Sequence, residues 1–164
     1  MIESDEWYTP QKYIESARFV MGSIDIDPCT CEFAQTRVKA FTYYTAKENG
    51  FDKVWYGNIW LNPPYSETGK WIDKLKFWLG YQFDAIALVN SKTETEWYQW
   101  CLENCRAFCL VKGRIQFEKE TGVKGTGRSG STFFFFSGET LRDTIFRNEF
   151  EKYGKVFWGE EFYK

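Results

Sequence analysis

Asn58-Ile59-Trp60-Leu61-Asn62-Pro63-Pro64-Tyr65 is the stretch on which the reading of this chain turns. Its apolar half reads as the end of a buried strand, and its second half as a stiff corner. Pro63 and Pro64 fix their own φ angles, push the residue before each towards extended geometry and donate no backbone hydrogen bond. The Asn62 side chain and the Pro63 carbonyl can then face one point in a cleft, with Tyr65 beside them as a stacking plate. Two acceptors and a plate suit a planar base that carries an exocyclic amino group. The competing reading is a proline-rich turn closing a strand, with Tyr65 as ordinary packing.

The flanking sequence sets this corner in a layered fold. Upstream, Thr9 reads as the N-cap and Pro10 as the first position of a helix carrying Tyr13, Ile14, Ala17, Val20 and Met21, stopped by Gly22. Ser23–Asp27 reads as a short strand ending at Pro28-Cys29. Residues 30–53 are ambiguous, with a helix near Phe33–Ala40 and a loop through Asn49-Gly50. The run from Val54 to Leu61 reads as a strand. Downstream, Ser66 caps a helix through Trp71, Leu75, Trp78 and Leu79 that ends at Gly80. Asp84–Val89 is a nearly continuous apolar run, typical of a strand covered on both faces. A helix over Thr93–Asn104, strands over Arg106–Val111 and Ile115–Phe117, and a flexible polar loop over Gly122–Gly130 follow. The chain closes with a strand at Thr132–Phe136, a helix from Glu139 to Lys152 and a strand at Val156–Trp158.

Strands alternating with helices predict a three-layer α/β fold with a mostly parallel sheet. In such sheets the ligand crevice lies beyond the carboxyl ends of the strands. Both Asp27-Pro28-Cys29 and Asn62-Pro63-Pro64-Tyr65 stand at such ends.

The 164 residues predict one domain over 1–164. Aromatics make up 21%, enough to fill a core and leave rings for stacking on bases. A net charge of −2 does not fit a non-specific nucleic-acid binder, so DNA contact must come from a local patch. Lys112, Arg114, Lys119, Lys124 and Arg128 are gathered in one stretch, which is either such a patch or a solvated loop. Five cysteines without a secretory signal point to a reducing cytoplasm. Their spacing is poor for zinc, and no histidine is present, so no metal is expected. The missing histidine also excludes His-based triads and His general bases. No apolar stretch reaches membrane-spanning length.

Five segments in order resemble the phage-type DNA N6-adenine methyltransferases: Glu6-Trp7-Tyr8-Thr9-Pro10, Asp25-Ile26-Asp27-Pro28-Cys29, Asn62-Pro63-Pro64-Tyr65, Lys92-Thr93-Glu94-Thr95-Glu96-Trp97 and Gly113-Arg114-Ile115-Gln116-Phe117. The resemblance runs from about Asp5 to Phe136, and the tail after Ser137 matches nothing in it. It implies a compact, Rossmann-like S-adenosylmethionine-dependent methyltransferase acting on adenine N6 in double-stranded DNA. It also implies a bacterial host cytoplasm, a phage or prophage gene, and a monomer or weak dimer. Asn62, Pro63, Pro64 and Tyr65 would form the catalytic corner. Thr9 and Pro10 would cradle the methionine end of the cofactor, and Asp25, Asp27, Pro28 and Cys29 would form its first loop. Trp7 and Tyr8 either line the cofactor's adenine pocket or anchor the first helix. Lys92, Arg114, Lys119, Lys124 and Arg128 would contact DNA.

Two departures from the family pattern stand out. Thr30-Cys31-Glu32 occupies the place of the usual Gly-x-Gly, and no separate target-recognition domain is evident. Only Lys119–Ser131 and the tail are spare for that task, so a short or relaxed recognition site is expected. The same corner also serves amino methyltransferases of cytosine N4, RNA guanine N2 and protein glutamine. A catalytically silent nucleic-acid-binding partner is a further alternative, although an intact Asn62 argues against it.

Overall fold

Ser131–Phe136 is a strand in which every side chain is buried, and its alternation builds both halves of the core. Phe133 and Phe135 face one side, and Phe134 and Phe136 the other. The computed structural model describes residues 7–79, 83–138 and 141–159.

In chain order, the elements begin with α1 (Gln11–Met21), β1 (Ile26–Thr30), α2 (Glu32–Val38), β2 (Thr42–Thr45), β3 (Ile59–Leu61) and α3 (Thr68–Trp78). They continue with β4 (Ala85–Asn90), α4 (Glu96–Asn104), β5 (Ala107–Val111), β6 (Gln116–Glu118) and β7 (Lys124–Thr126). The strand at Ser131–Phe136 is β8, and α5 (Leu141–Phe150) and β9 (Gly154–Trp158) complete the described chain. Seven strands make one sheet in the order β2-β1-β3-β4-β8-β5-β9, and β6 and β7 pair separately. On one face, Tyr13, Ala17 and Val20 of α1 join Phe146 and Phe150 of α5 against Phe133 and Phe135. On the other, Ile72 and Leu75 of α3 join Tyr98 and Cys101 of α4 against Phe134 and Phe136.

Five of the seven strands, β2, β1, β3, β4 and β5, run the same way and β8 and β9 run against them, so the sheet is largely parallel with mixed pairings. β2, β1, β3 and β4 are parallel, whereas β8 is antiparallel to both β4 and β5, and β9 is antiparallel to β5. The chain between β5 and β8 holds the β6–β7 hairpin and no crossover helix. The return is antiparallel, without the crossover helix that usually joins parallel neighbours.

Several boundaries move for identifiable reasons. Pro10, not Thr9, takes the N-cap position of α1 and makes no side-chain cap bond, and the helix starts at Gln11. β1 runs on through Pro28, and its register with β2 breaks between Asp27 and Thr30, where proline has no N–H to give. The strand expected from Val54 shrinks to Ile59–Leu61 because Gly57, at φ +69°, turns the chain. The Asn58 N–H then donates to Asp25 Oδ2 at 2.7 Å, and the Asn58 carbonyl accepts from the N–H of Asp25 and of Ile26. A third of the expected Gly122–Gly130 loop is β7. The helix stop at Gly80 and the helix start at Glu139 fall outside the described residues.

A Cβ at position 57 would stand 2.4 Å from Asp25 Oδ2, in a backbone conformation that side chains disfavour. Gly57→Ala is therefore expected to lower stability by more than about 1 kcal/mol. Urea unfolding should show a lower midpoint with an unchanged slope.

Candidate active site

The chain leaves β1 first for β2 on one side and later reaches β3 on the other. At such a reversal the loops following the two central strands diverge and open a crevice at their carboxyl ends. A cavity of about 390 Å³ opens there, within the size range of small-molecule sites. Trp7, Tyr8, Thr9, Asp27, Pro28 and Cys29 line it together with Asn62, Pro63, Pro64 and Tyr65. The structure thus joins two corners that lie 35 positions apart in sequence, counting from Asp27 to Asn62.

One hydrogen bond orients the Asn62 side chain. Its Nδ2 donates to Thr9 Oγ1 at 2.9 Å, and Thr9 is 4% exposed. With the nitrogen so used, Asn62 Oδ1 remains an acceptor without a partner among the described residues. The hydroxyl expected to cap α1 instead holds the amide of the corner. Thr9 is itself tied down, because its carbonyl accepts from Arg37 Nη1 at 3.4 Å. Arg37 also pairs with Glu118 of β6 at 2.8 Å. Tyr65 is half-buried, and its ring meets Phe117 edge-on at 6.3 Å.

Asp27 is 2% exposed and accepts a hydrogen bond from Gln35 Nε2 at 2.8 Å. The same nitrogen donates to Thr30 Oγ1 at 3.0 Å, and Gln35 Oε1 accepts from the Ala40 N–H at 3.0 Å. Burial outweighs these bonds and pushes the Asp27 carboxyl up to about 7. Burial, with Asp27 nearby, also raises the Cys29 thiol well above its ordinary value. A buried carboxyl poised near neutrality suits a cavity that receives a cation, because the arriving charge draws it into its ionised form.

Not every expected site residue reaches the cavity. Asp25 lies outside it, engaged with the Gly57-Asn58 turn, and Pro10 also lies outside it. Lys92 is exposed in the loop after β4. Arg114, Lys119, Lys124 and Arg128 lie on or beside the β6–β7 hairpin, away from the cavity lining. Arg114 donates to the Gly127 carbonyl at 3.0 Å, Lys119 lies over the Trp7 ring at 4.9 Å, and Lys124 approaches Glu118 at 3.7 Å. Cys31 fills the N-cap of α2, accepting from the Ala34 N–H at 3.5 Å, where the family pattern has glycines.

Gln35, Arg37, Asn49, Gly50 and Trp71 take part in the site although the sequence singles none of them out for it. Four of these come from residues 30–53, which lack clear periodicity. Gly50 carries one legible signal, an Asn-Gly pair. A Cβ there would stand 1.9 Å from the Pro28 carbonyl oxygen, so only glycine lets this loop close on β1.

Residues 2–155 match the family described as DNA N-6-adenine-methyltransferase (Dam). The chain belongs to the Dam family. It is also similar to the DNA N-6-adenine-methyltransferase of Escherichia phage T1, with 25% identity over 138 residues. That alignment covers 83% of this chain and 56% of the phage protein, so the chain spans a little over half the length of this Dam relative. Among the described residues no helix is long and apolar enough to cross a membrane, and no three His, Cys, Asp or Glu side chains converge as metal ligands.

The state of Asp27 gives a test that is independent of turnover. With its folded-state pKa raised from 3.8 to about 7, Asp27 contributes stability that is fully present below about pH 4 and is lost as the pH rises through 7. Asp27→Asn is expected to melt several degrees higher than the unsubstituted protein at about pH 8, and the gain should shrink as the pH falls towards 4. Thermal melts without ligand at both pH values check this, and a gain that ignores pH would contradict it.

Proposed function

We propose that this Dam-family chain transfers the methyl group of S-adenosylmethionine to the exocyclic N6 nitrogen of an adenine in duplex DNA. The observation that carries the reading is the Asn62 amide, locked by Thr9 so that Oδ1 is an acceptor on the same cavity as Asp27. Family membership and the likeness to the phage T1 protein support the choice of adenine. The reversal of strand order at β1 supports a compact Rossmann-like methyltransferase fold within a single domain.

An exocyclic amine is a poor nucleophile because its lone pair is delocalised into the ring. Asn62 Oδ1 and the Pro63 carbonyl accept its two N–H bonds, favour tetrahedral geometry and offset the positive charge that grows on nitrogen. Tyr65 stacks on the flipped base, which recovers about 1–3 kcal/mol of the cost of removing it from the duplex. Trp7, Tyr8, Thr9, Pro28 and Cys29, which line the cavity, would hold the cofactor, and an ionised Asp27 would offer a counter-charge to its cationic part. The bound cofactor supplies an electrophilic methyl on a sulfonium, which needs no metal and no covalent enzyme intermediate. Positioning of the amine by Asn62, Pro63 and Tyr65 would supply much of the remaining rate. Lys92, Arg114, Lys119, Lys124 and Arg128 contact phosphates around the extruded base.

Incubation with labelled S-adenosylmethionine and unmethylated DNA, followed by nucleoside analysis, is expected to give N6-methyladenine. N4-methylcytosine would move the target to another base, and the absence of label from any nucleic acid would overturn the reading. Asn62→Ala should abolish turnover while calorimetry shows cofactor binding retained, and Asp27→Ala should lose that binding.

Thr9→Val removes the acceptor that holds Asn62 Nδ2. A fall in kcat on the order of a hundredfold is expected, with cofactor affinity changed far less. Thr9→Ser keeps the hydroxyl and should restore most of the rate.

A further inference from the structure

The β6–β7 hairpin stands apart from the seven-stranded sheet. Its inner face buries Ile115 and Phe117, and Phe117 meets the Tyr65 ring. Its outer face presents Gln116 and Thr126, which are exposed and directly opposite one another across the strands. Gln116 Nε2 donates to Thr126 Oγ1 at 2.7 Å. That bond uses one amide N–H and fixes the plane of the carboxamide. The other N–H and Oε1 stay available as an adjacent donor and acceptor, the pair that reads the N7 and N6 edge of adenine in the major groove.

The hairpin also has the charge and shape for a duplex. Lys112, Arg114 and Arg128 are exposed around it. Glu118 is already engaged by Arg37 at 2.8 Å and Lys124 at 3.7 Å, so of the acids near this face it is compensated, while Glu120 is exposed. A protein of net charge −2 thus carries a local concentration of cations beside its catalytic corner. The major groove admits a two-stranded ribbon of this kind.

Reading a base requires a fixed offset between reader and pocket, and three contacts supply one. The backbones of Tyr8 and Glu118 exchange hydrogen bonds at 2.8 and 3.1 Å, a single bridge that pins the segment before α1 to the edge of the ribbon. Trp7 lies so close to Gly125 that a Cβ there would be 2.3 Å from its ring. Arg37 joins Glu118 to the carbonyl of Thr9, the residue that orients Asn62.

We infer that the β6–β7 ribbon enters the major groove beside the extruded base and that Gln116 reads a neighbouring base pair, held in plane by Thr126. The inference rests on the DNA-methylation reading above. A duplex library with randomised bases around a central adenine tests it. The full chain and its Gln116→Ala and Thr126→Val variants are compared in two readouts, the sequences methylated and the sequences retained on the protein.

The unsubstituted protein should prefer one base pair at a fixed position near the target. Gln116→Ala should reduce that preference on the order of tenfold or more. Thr126→Val should weaken it without removing it, and both variants should keep the parent melting temperature. Methylation with a base preference unchanged in Gln116→Ala would overturn the assignment, as would an unsubstituted protein that is indifferent to all flanking bases. Gln116-dependent selection in the retained sequences without any methylation would uphold the ribbon and overturn the methylation reading instead.

Discussion

β1 has parallel partners on both sides, and the chain reaches them in opposite directions, first β2 and then β3. Everything at the site depends on that reversal. It parts the loops that follow β1 and β3, so a cavity opens where an uninterrupted sequence of crossovers would have packed one loop on the next. Gly50 lets the chain close against the Pro28 carbonyl, and the Gly57 turn docks Asn58 on Asp25 next to β3. These two close approaches hold β1 in place from either side. Asp25, off the cavity lining, builds the frame of the site through the Asn58 turn.

The chemistry proposed for the cavity is carried by polar groups whose freedom has been removed in advance. Asn62 is oriented by Thr9, and Asp27 is held by Gln35. Burial raises the Asp27 carboxyl to about 7, so holding it ionised costs stability in this fold. Proteins commonly spend stability in this way at sites where binding or turnover needs a pre-set group. The path from Glu118 through Arg37 to Thr9 extends the same logic outwards, since it ties the ribbon β6–β7 to the residue that aims Asn62.

Much of the core was legible because periodicity reports burial. Tyr13, Ile14, Ala17 and Val20 mark the inner face of α1, and the unbroken apolar run of β4 marks a strand covered on both faces. The mixed pairing of the sheet was not legible, because strand direction depends on how the chain travels between strands and not on strand composition. The short strand β7 was hidden within a glycine-rich stretch. Its pairing comes from contact with β6, and Gly125 is there to make room for Trp7. Residues 30–53 hid Gln35 and Arg37 for a related reason: a side chain that acts by bonding to a distant residue leaves no periodic trace.

The sequence alone determined the alternation of strands and helices, the stiffness of the Asn62–Tyr65 corner, and the absence of histidine from any mechanism. These follow from local properties, namely side-chain hydrophobicity, the φ restriction of proline, and which functional groups exist at all. Tertiary structure decided that Thr9 holds the Asn62 amide instead of capping a helix, that Asp25 belongs to a turn, and that Asp27 sits near neutrality. Each of these depends on which groups meet across the sheet and how much water they lose, quantities that no stretch of sequence contains by itself.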